Sequence, residues 1–292
     1  MDLRQDSVTL DGLDVGYLAC GDDGPLAVCL HGFPDSAWTW RHLLPELASA
    51  GFRAVAPWLR GYAPTGVPAD GWYQSGALAR DACLLHEAFG GDGTAVVISH
   101  DWGARAANGA AGVAPDRWRK VVTMAVPPAA AVATGLLTYS QVKRSWYIWF
   151  FQTFLADMVV PMDDLAFIDH LWEEWSPGYV DAAEDIAHVK DSLRDPANLA
   201  AAIGYYRSLF DPTKQTAELA KEEEAVGGLP PQPHLYLHGV DDGCMGAEIG
   251  AQSGAFLTVP GSHAEMIEDA GHFLHLEQPV LVNRLIVDFV TS

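Results

Sequence analysis

Three side chains stand in the order and with the types needed for covalent hydrolysis at a saturated carbon: Asp101, Asp242 and His272. Asp101 lies in Ser99-His100-Asp101-Trp102-Gly103, directly after the β-branched run Val96-Val97-Ile98 and before the small residues Ala104, Ala106, Ala107 and Ala110. A strand that stops abruptly and opens into a helix is the signature of a nucleophile elbow, a strained turn that lifts one side chain above a sheet. The usual pattern is Gly-x-Ser-x-Gly; here Ser99 stands at the first glycine and Asp101 at the nucleophile. Ser99 cannot fill that role itself, because Val97 and Asp101 would flank it where small residues are needed. Alone, the stretch reads equally well as an aspartate capping the helix that follows. Gly239-Val240-Asp241-Asp242 and Ala270-Gly271-His272-Phe273 downstream settle the choice, since they add a carboxylate and then a histidine in catalytic order.

The chemistry of an aspartate nucleophile differs from that of a serine. A carboxylate is ionised at neutral pH and needs no base to attack. Attack on an ester carbonyl would give a reactive anhydride, whereas displacement at a saturated carbon gives an ordinary ester. His272 then activates the water that cleaves the Asp101 ester, while Asp242 fixes its tautomer and stabilises the imidazolium. Asp241 is the rival acid. The oxyanion requires N–H donors, which the backbone of Phe33 and Trp102 is placed by motif to supply.

The surrounding elements must bring these groups together. Ser7–Leu10 and Leu13–Leu18 alternate around Asp11-Gly12, a hairpin signal. Residues 25–30 form a continuous apolar run, as a strand buried on both faces requires, and end in His31-Gly32-Phe33-Pro34. A helix is expected around Trp40, Leu43, Leu44 and Leu47, a strand over 53–57, a helix over 78–89 and a strand over 120–126. Such alternation implies a mostly parallel, doubly wound sheet with chemistry at the carboxyl ends of its strands. From 129 to 228 the alternation stops in favour of aromatic-rich helical sequence, and strand and helix patterns return at 234–238 and 280–290. The reading is a core of residues 1–128 and 229–292 interrupted by a helical cap, 129–228.

His31-Gly32-Phe33-Pro34, the aspartate elbow, the Gly-x-x-Asp ending at Asp242 and Ala270-Gly271-His272-Phe273 together resemble the epoxide hydrolases of the α/β-hydrolase fold. Ser145-Trp146-Tyr147 with Phe150-Phe151-Gln152, and Tyr205-Tyr206-Arg207, resemble that family's two cap tyrosine motifs. The resemblance implies that Tyr147 and Tyr206 protonate the alkoxide of an opening epoxide, a task suited to a phenol of pKa near ~10. It also implies a pocket lined by Phe33, Trp102, Trp146, Phe151 and Phe273. Helical spacing sets Tyr147 with Phe150, Phe151 and Phe154 and sets Tyr206 with Leu199, Ile203 and Phe210, two inward stripes. The competing reading of the tyrosines is a pair of core residues bonded to backbone. A haloalkane dehalogenase would use the same Asp101, with the Trp102 indole holding halide and one of Trp146, Trp149, Trp172 or Trp175 as second donor; Arg105 would anchor a carboxylate in the fluoroacetate variant. A receptor that has kept the fold without turnover is the third reading.

Composition narrows the partners. The formal charge of −21 disfavours nucleic acid and anionic membrane. The most apolar stretch, 121–137, holds Pro127 and Pro128 and is too short and broken to span a bilayer, and Met1 to Asp6 lacks the features of a signal peptide. Cys20, Cys29, Cys83 and Cys244 have neither metal nor disulfide spacing, and Cys29 and Cys83 read as small core residues. The expected partners are a small apolar or aryl epoxide and water, with no cofactor and no metal, in the reducing cytoplasm; a homodimer is compatible with the sequence.

Overall fold

A computed structural model describes residues 2–292. The chain opens with β1 (Arg4–Leu10) and β2 (Leu13–Cys20), joined at Asp11 and Gly12, whose φ angles of 47° and 84° are those a tight hairpin demands. It continues through β3 (Leu26–Leu30), α1 (Leu43–Ser49), β4 (Arg53–Pro57), α2 (Ser75–Ala88), β5 (Ala95–His100), α3 (Trp102–Val113) and β6 (Trp118–Met124). The run between β6 and the next strand is helical: α4 (Ala129–Gly135), α5 (Tyr139–Arg144), α6 (Trp146–Phe150), α7 (Leu155–Val159), α8 (Met162–Trp175), α9 (Ala183–Leu193), α10 (Pro196–Phe210) and α11 (Ala220–Val226). Then come β7 (His234–Gly239), α12 (Ala247–Gly250), β8 (His263–Ile267), α13 (Leu274–Glu277) and α14 (Pro279–Thr291).

The eight strands form one sheet in the order β1-β2-β4-β3-β5-β6-β7-β8, antiparallel at β1/β2 and β2/β4 and parallel elsewhere. β3 and β5 are buried along their whole length, as strands covered on both faces must be. Among the described residues no helix is long and apolar enough to cross a membrane.

Two departures from the sequence reading have clear causes. β8 has no counterpart in the sequence reading: His263–Ile267 is an edge strand whose residues alternate between exposed and half-buried up to the buried Ile267, so it carries no apolar run. α11 falls inside 129–228 yet packs on α2 and α3, where the absent side chain of Gly109 leaves room for Val226. α11 thereby belongs to the helical layer that α2 and α3 form on the sheet.

Candidate active site

Asp101 sits where β5 meets α3 with φ 50° and ψ −117°, a conformation that costs a non-glycine residue on the order of 1–3 kcal/mol and is held by its surroundings. Its amide donates to the Met124 carbonyl (3.1 Å), and its carbonyl accepts from the Ala104 amide (2.9 Å). Gly103 is needed because a Cβ there would lie 2.2 Å from the Leu30 carbonyl oxygen. Ser99 stands at the position of the customary glycine, and its buried hydroxyl is satisfied by donating to the Val122 carbonyl at 2.8 Å.

The loop after β3 supplies a backbone donor to Asp101. The Phe33 amide donates to Asp101 Oδ1 at 2.7 Å. A Cβ on Gly32 would come within 2.3 Å of that oxygen and 2.7 Å of the Trp102 nitrogen, so this loop and the start of α3 border one small space. His31 anchors the loop as the Nδ1–H tautomer, donating to the Gly32 carbonyl (2.9 Å) and accepting from the Leu59 amide at Nε2 (3.0 Å). Burial pushes its pKa down to about 3, so it stays neutral.

Asp242 and His272 stand on the loops after β7 and β8. His272 Nδ1 is 3.0 Å from Asp242 Oδ2, and its Nε2 is 3.7 Å from Asp101 Oδ2 with no hydrogen-bond partner of its own. Asp242 Oδ1 accepts from the amides of Cys244 (2.7 Å) and Met245 (2.9 Å), while Asp241 is exposed. Burial alone would lower the imidazole pKa, but Asp242 and then Asp101 outweigh it and hold His272 above its ordinary value. Burial would likewise raise the Asp242 carboxyl; His272 reverses the sign and holds it low. Replacing Asp242 with asparagine should therefore slow release of a covalent intermediate by about 10²- to 10⁴-fold. The same change at Asp241 should do little, and single-turnover measurement of both variants compares them directly.

The C-terminal end of α8 clamps both loops. The Trp175 carbonyl accepts from the His272 amide (2.9 Å) and from the Gly243 amide (3.1 Å). Close passage requires glycine on both sides: a Cβ would lie 1.9 Å from Glu174 O at Gly243 and 2.6 Å from Trp175 O at Gly271. Ser176 adds a third tie, accepting from the Phe273 amide at 3.0 Å.

The helical insertion closes over this arrangement with aromatic rings. Tyr206, on α10, has its ring 5.1 Å from both Trp102 and Phe33, and Tyr147, on α6, lies 5.5 Å from Tyr206. Both tyrosines and Phe151 are buried. Burial raises both phenol pKa values well above normal; the next cause is the Asp101 carboxylate at Tyr206 and Cys244 at Tyr147, where Asp101 also contributes. Neither hydroxyl donates to backbone, contrary to the core-residue alternative: Tyr147 Oη is 3.3 Å from Cys244 Sγ, and Tyr206 Oη is unpartnered.

Other expected residues lie elsewhere. Trp146 is 40% exposed and packs on Phe150 and Phe167, away from the triad. Phe154 is 72% exposed, because α6 ends at Phe150 and the chain no longer keeps the helical spacing that would turn it inward; Phe210, at the end of α10, is 51% exposed. Phe273 is stacked on Trp172 at 3.6 Å, joining the core to α8. Arg105 donates to Ser75 and lies over the Trp102 ring. Trp175, named in the sequence only as an optional halide donor, is instead central: its ring is 5.0 Å from His272 and 4.8 Å from Tyr147. Its spacing on α8 matches that of Trp172, so periodicity alone could not separate them.

Two buried groups have donor types that suit a metal ion, Asp35-His100-His275 and Asp242-Cys244-His272, each with its ligand atoms within 4.8 Å of one another. The second contains the hydrogen-bonded pair Asp242 and His272.

A model of the α/β hydrolase fold family matches residues 25–279. The AB hydrolase superfamily protein YfhM of Bacillus subtilis is 28% identical, with 98% of this chain and 97% of that protein covered. Epoxide hydrolase A of Mycobacterium tuberculosis is 27% identical, with 98% and 96% covered. The crystal structure of Epoxide Hydrolase A from Mycobacterium thermoresistibile aligns with a TM-score of 0.81 at 26% identity, covering 100% of this chain and 99% of that one. With the family match spanning most of its length and the elbow, acid and histidine in place, this chain belongs to the α/β hydrolase fold family.

Proposed function

We propose that the protein is an epoxide hydrolase that opens an apolar or aryl epoxide to a vicinal diol through an ester on Asp101. The observation that carries this reading is the pair of buried phenols, Tyr147 and Tyr206, set over an aspartate nucleophile rather than bonded to backbone. The printed names of relatives such as Epoxide hydrolase A of Mycobacterium tuberculosis agree with it.

In the first step Asp101 Oδ2 attacks a ring carbon, the carbon–oxygen bond breaks, and a tyrosine passes its proton to the departing alkoxide. The raised phenol pKa values keep both acids protonated until that moment. Asp101 Oδ1 remains as the ester carbonyl oxygen against the Phe33 amide. In the second step His272 Nε2 removes a proton from water as that water attacks the Asp101 carbonyl carbon. The Phe33 amide steadies the oxyanion, with the Trp102 amide as second donor. Collapse expels the diol alkoxide, which takes the proton from His272; the proton left on the Asp101 carboxyl passes to the tyrosinate, restoring the carboxylate and the phenol. The rings of Phe33, Phe151 and Trp175 give the substrate apolar company.

Alkylation removes the Asp101 charge, one of the influences that raise His272. The base of the second step should therefore titrate below the resting imidazole. Comparing the pH profile of ester hydrolysis with an NMR titration of free His272 tests this; equal midpoints would contradict it.

The deciding assay offers styrene oxide and a chloroalkane in parallel. Diol without halide supports the proposal. Halide release without diol would transfer the mechanism to dehalogenation, for which the buried, unpartnered Trp175 indole N–H is the available halide donor.

A further inference from the structure

The two cap tyrosines are unequal, and the inequality lies in a cysteine. Cys244 is buried, and its sulfur is 3.3 Å from the Tyr147 hydroxyl. Its amide donates to Asp242 Oδ1 at 2.7 Å, so the acid that orients His272 also fixes this thiol. Its carbonyl accepts from Gln141 Nε2 at 2.9 Å, and Gln141 Oε1 accepts from the Gly246 amide at 2.9 Å. Gln141 lies on α5, immediately before the helix that carries Tyr147. Thiol and phenol are thus held on both sides, one by the acid loop and the other by the α5–α6 corner. Tyr206 has no thiol beside it: its hydroxyl is buried with no hydrogen bond within 3.5 Å, and the Trp102 indole is the donor on its side.

We propose that Cys244 is a positioning residue for Tyr147: it holds the phenol at rest and donates its S–H to the phenol oxygen while Tyr147 gives its proton to the opening epoxide. This rests on the epoxide hydrolase reading. At rest the stronger donor, the phenol O–H, faces sulfur, a weak acceptor that releases it readily. An epoxide oxygen above Asp101 is the better acceptor, and Tyr147 turns to it. The S–H then faces an oxygen that gains negative charge as its proton leaves, and a hydrogen bond to a charged group is the strong kind. Cys244 keeps its own proton throughout and forms no covalent bond. Burial, then the nearby Asp242 and Asp101 carboxylates, raise the thiol pKa well above normal, which suits a hydrogen-bond donor and not a nucleophile.

The test is a double-mutant cycle on single-turnover reactions with styrene oxide, joined to infrared spectra of the S–H stretch. Cys244→Ala should slow alkylation of Asp101 by about 10-fold, the loss of one hydrogen bond to a charged group, and leave ester hydrolysis within about 2-fold. Cys244→Ser, nearly isosteric, should keep most of the alkylation rate. In a Tyr147→Phe background Cys244→Ala should add no further loss. In the spectra, the band removed by Cys244→Ser should move in Tyr147→Phe and stay in Tyr206→Phe. Additive losses, equal slowing of both steps, or a band indifferent to Tyr147→Phe would each overturn the proposal. A wild-type protein inert toward epoxides would overturn the enzymatic reading and the kinetic role of Cys244 together. An active wild type with an additive cycle would overturn the cysteine's role alone.

Discussion

Asp101→Asn should lose at least about 10⁴-fold in epoxide turnover while keeping the fold, because the amide matches the carboxylate in shape but is a poor nucleophile. The Phe33 amide can still donate to the side-chain oxygen, so the loop after β3 has no reason to move. Intact mass after incubation with styrene oxide is the direct measurement, since the wild type passes through a covalent adduct that the variant cannot form. Deamidation back to aspartate must be excluded by peptide mapping. An adduct that survives repurification of the verified variant would place the nucleophile elsewhere.

The second large effect belongs to the tyrosines. Each single Tyr→Phe change should slow alkylation by roughly 10- to 1000-fold, since one phenol covers in part for the other, and the double change should nearly abolish it. Ester hydrolysis should be much less affected, because its base is His272. Pre-steady-state tryptophan fluorescence separates the two steps, with Trp102 adjoining the reacting carboxylate as the reporter. The two variants should also differ: Tyr206, whose ring lies 5.1 Å from both Trp102 and Phe33, the neighbours of Asp101, should be the more damaging to remove. A double variant that still forms ester at near the normal rate would return both tyrosines to a packing role.

The parts of this site legible in the sequence are those whose physics is local. A β-branched run that ends in a small-residue helix requires a tight turn, and the order of Asp101, Asp242 and His272 around a doubly wound sheet puts all three at one edge. The preference for Asp242 over Asp241 rests on the family's glycine spacing, not on local physics; in the structure Asp242 is buried and Asp241 lies in solvent. The aromatic stripes were less legible. Helical periodicity assumes that the helix continues, and α6 is too short to carry Phe154 to the same face as Tyr147. Trp146 and Trp175 have the same residue type, and only the crossing of α8 over the catalytic loops distinguishes a surface indole from one against His272. Cys244 gave no signal, because its role arises from two segments about a hundred residues apart in the chain.

The bonds from the Trp175 carbonyl bear on how this protein can be re-engineered. Inserted helices invite exchange between homologues, as cassettes that bring a new specificity to an unchanged engine. Here the cassette holds a piece of the engine. A chimera cut at 129 and 228 would import a foreign peptide at 175–176 and, unless its backbone follows the same path, release the amides of Gly243 and His272 together. Such a graft would bind its new substrate over a misaligned acid and base, and would read as a failure of specificity when the fault was alignment. Exchanging 129–160 and 183–210 while keeping 162–177 native leaves that joint intact.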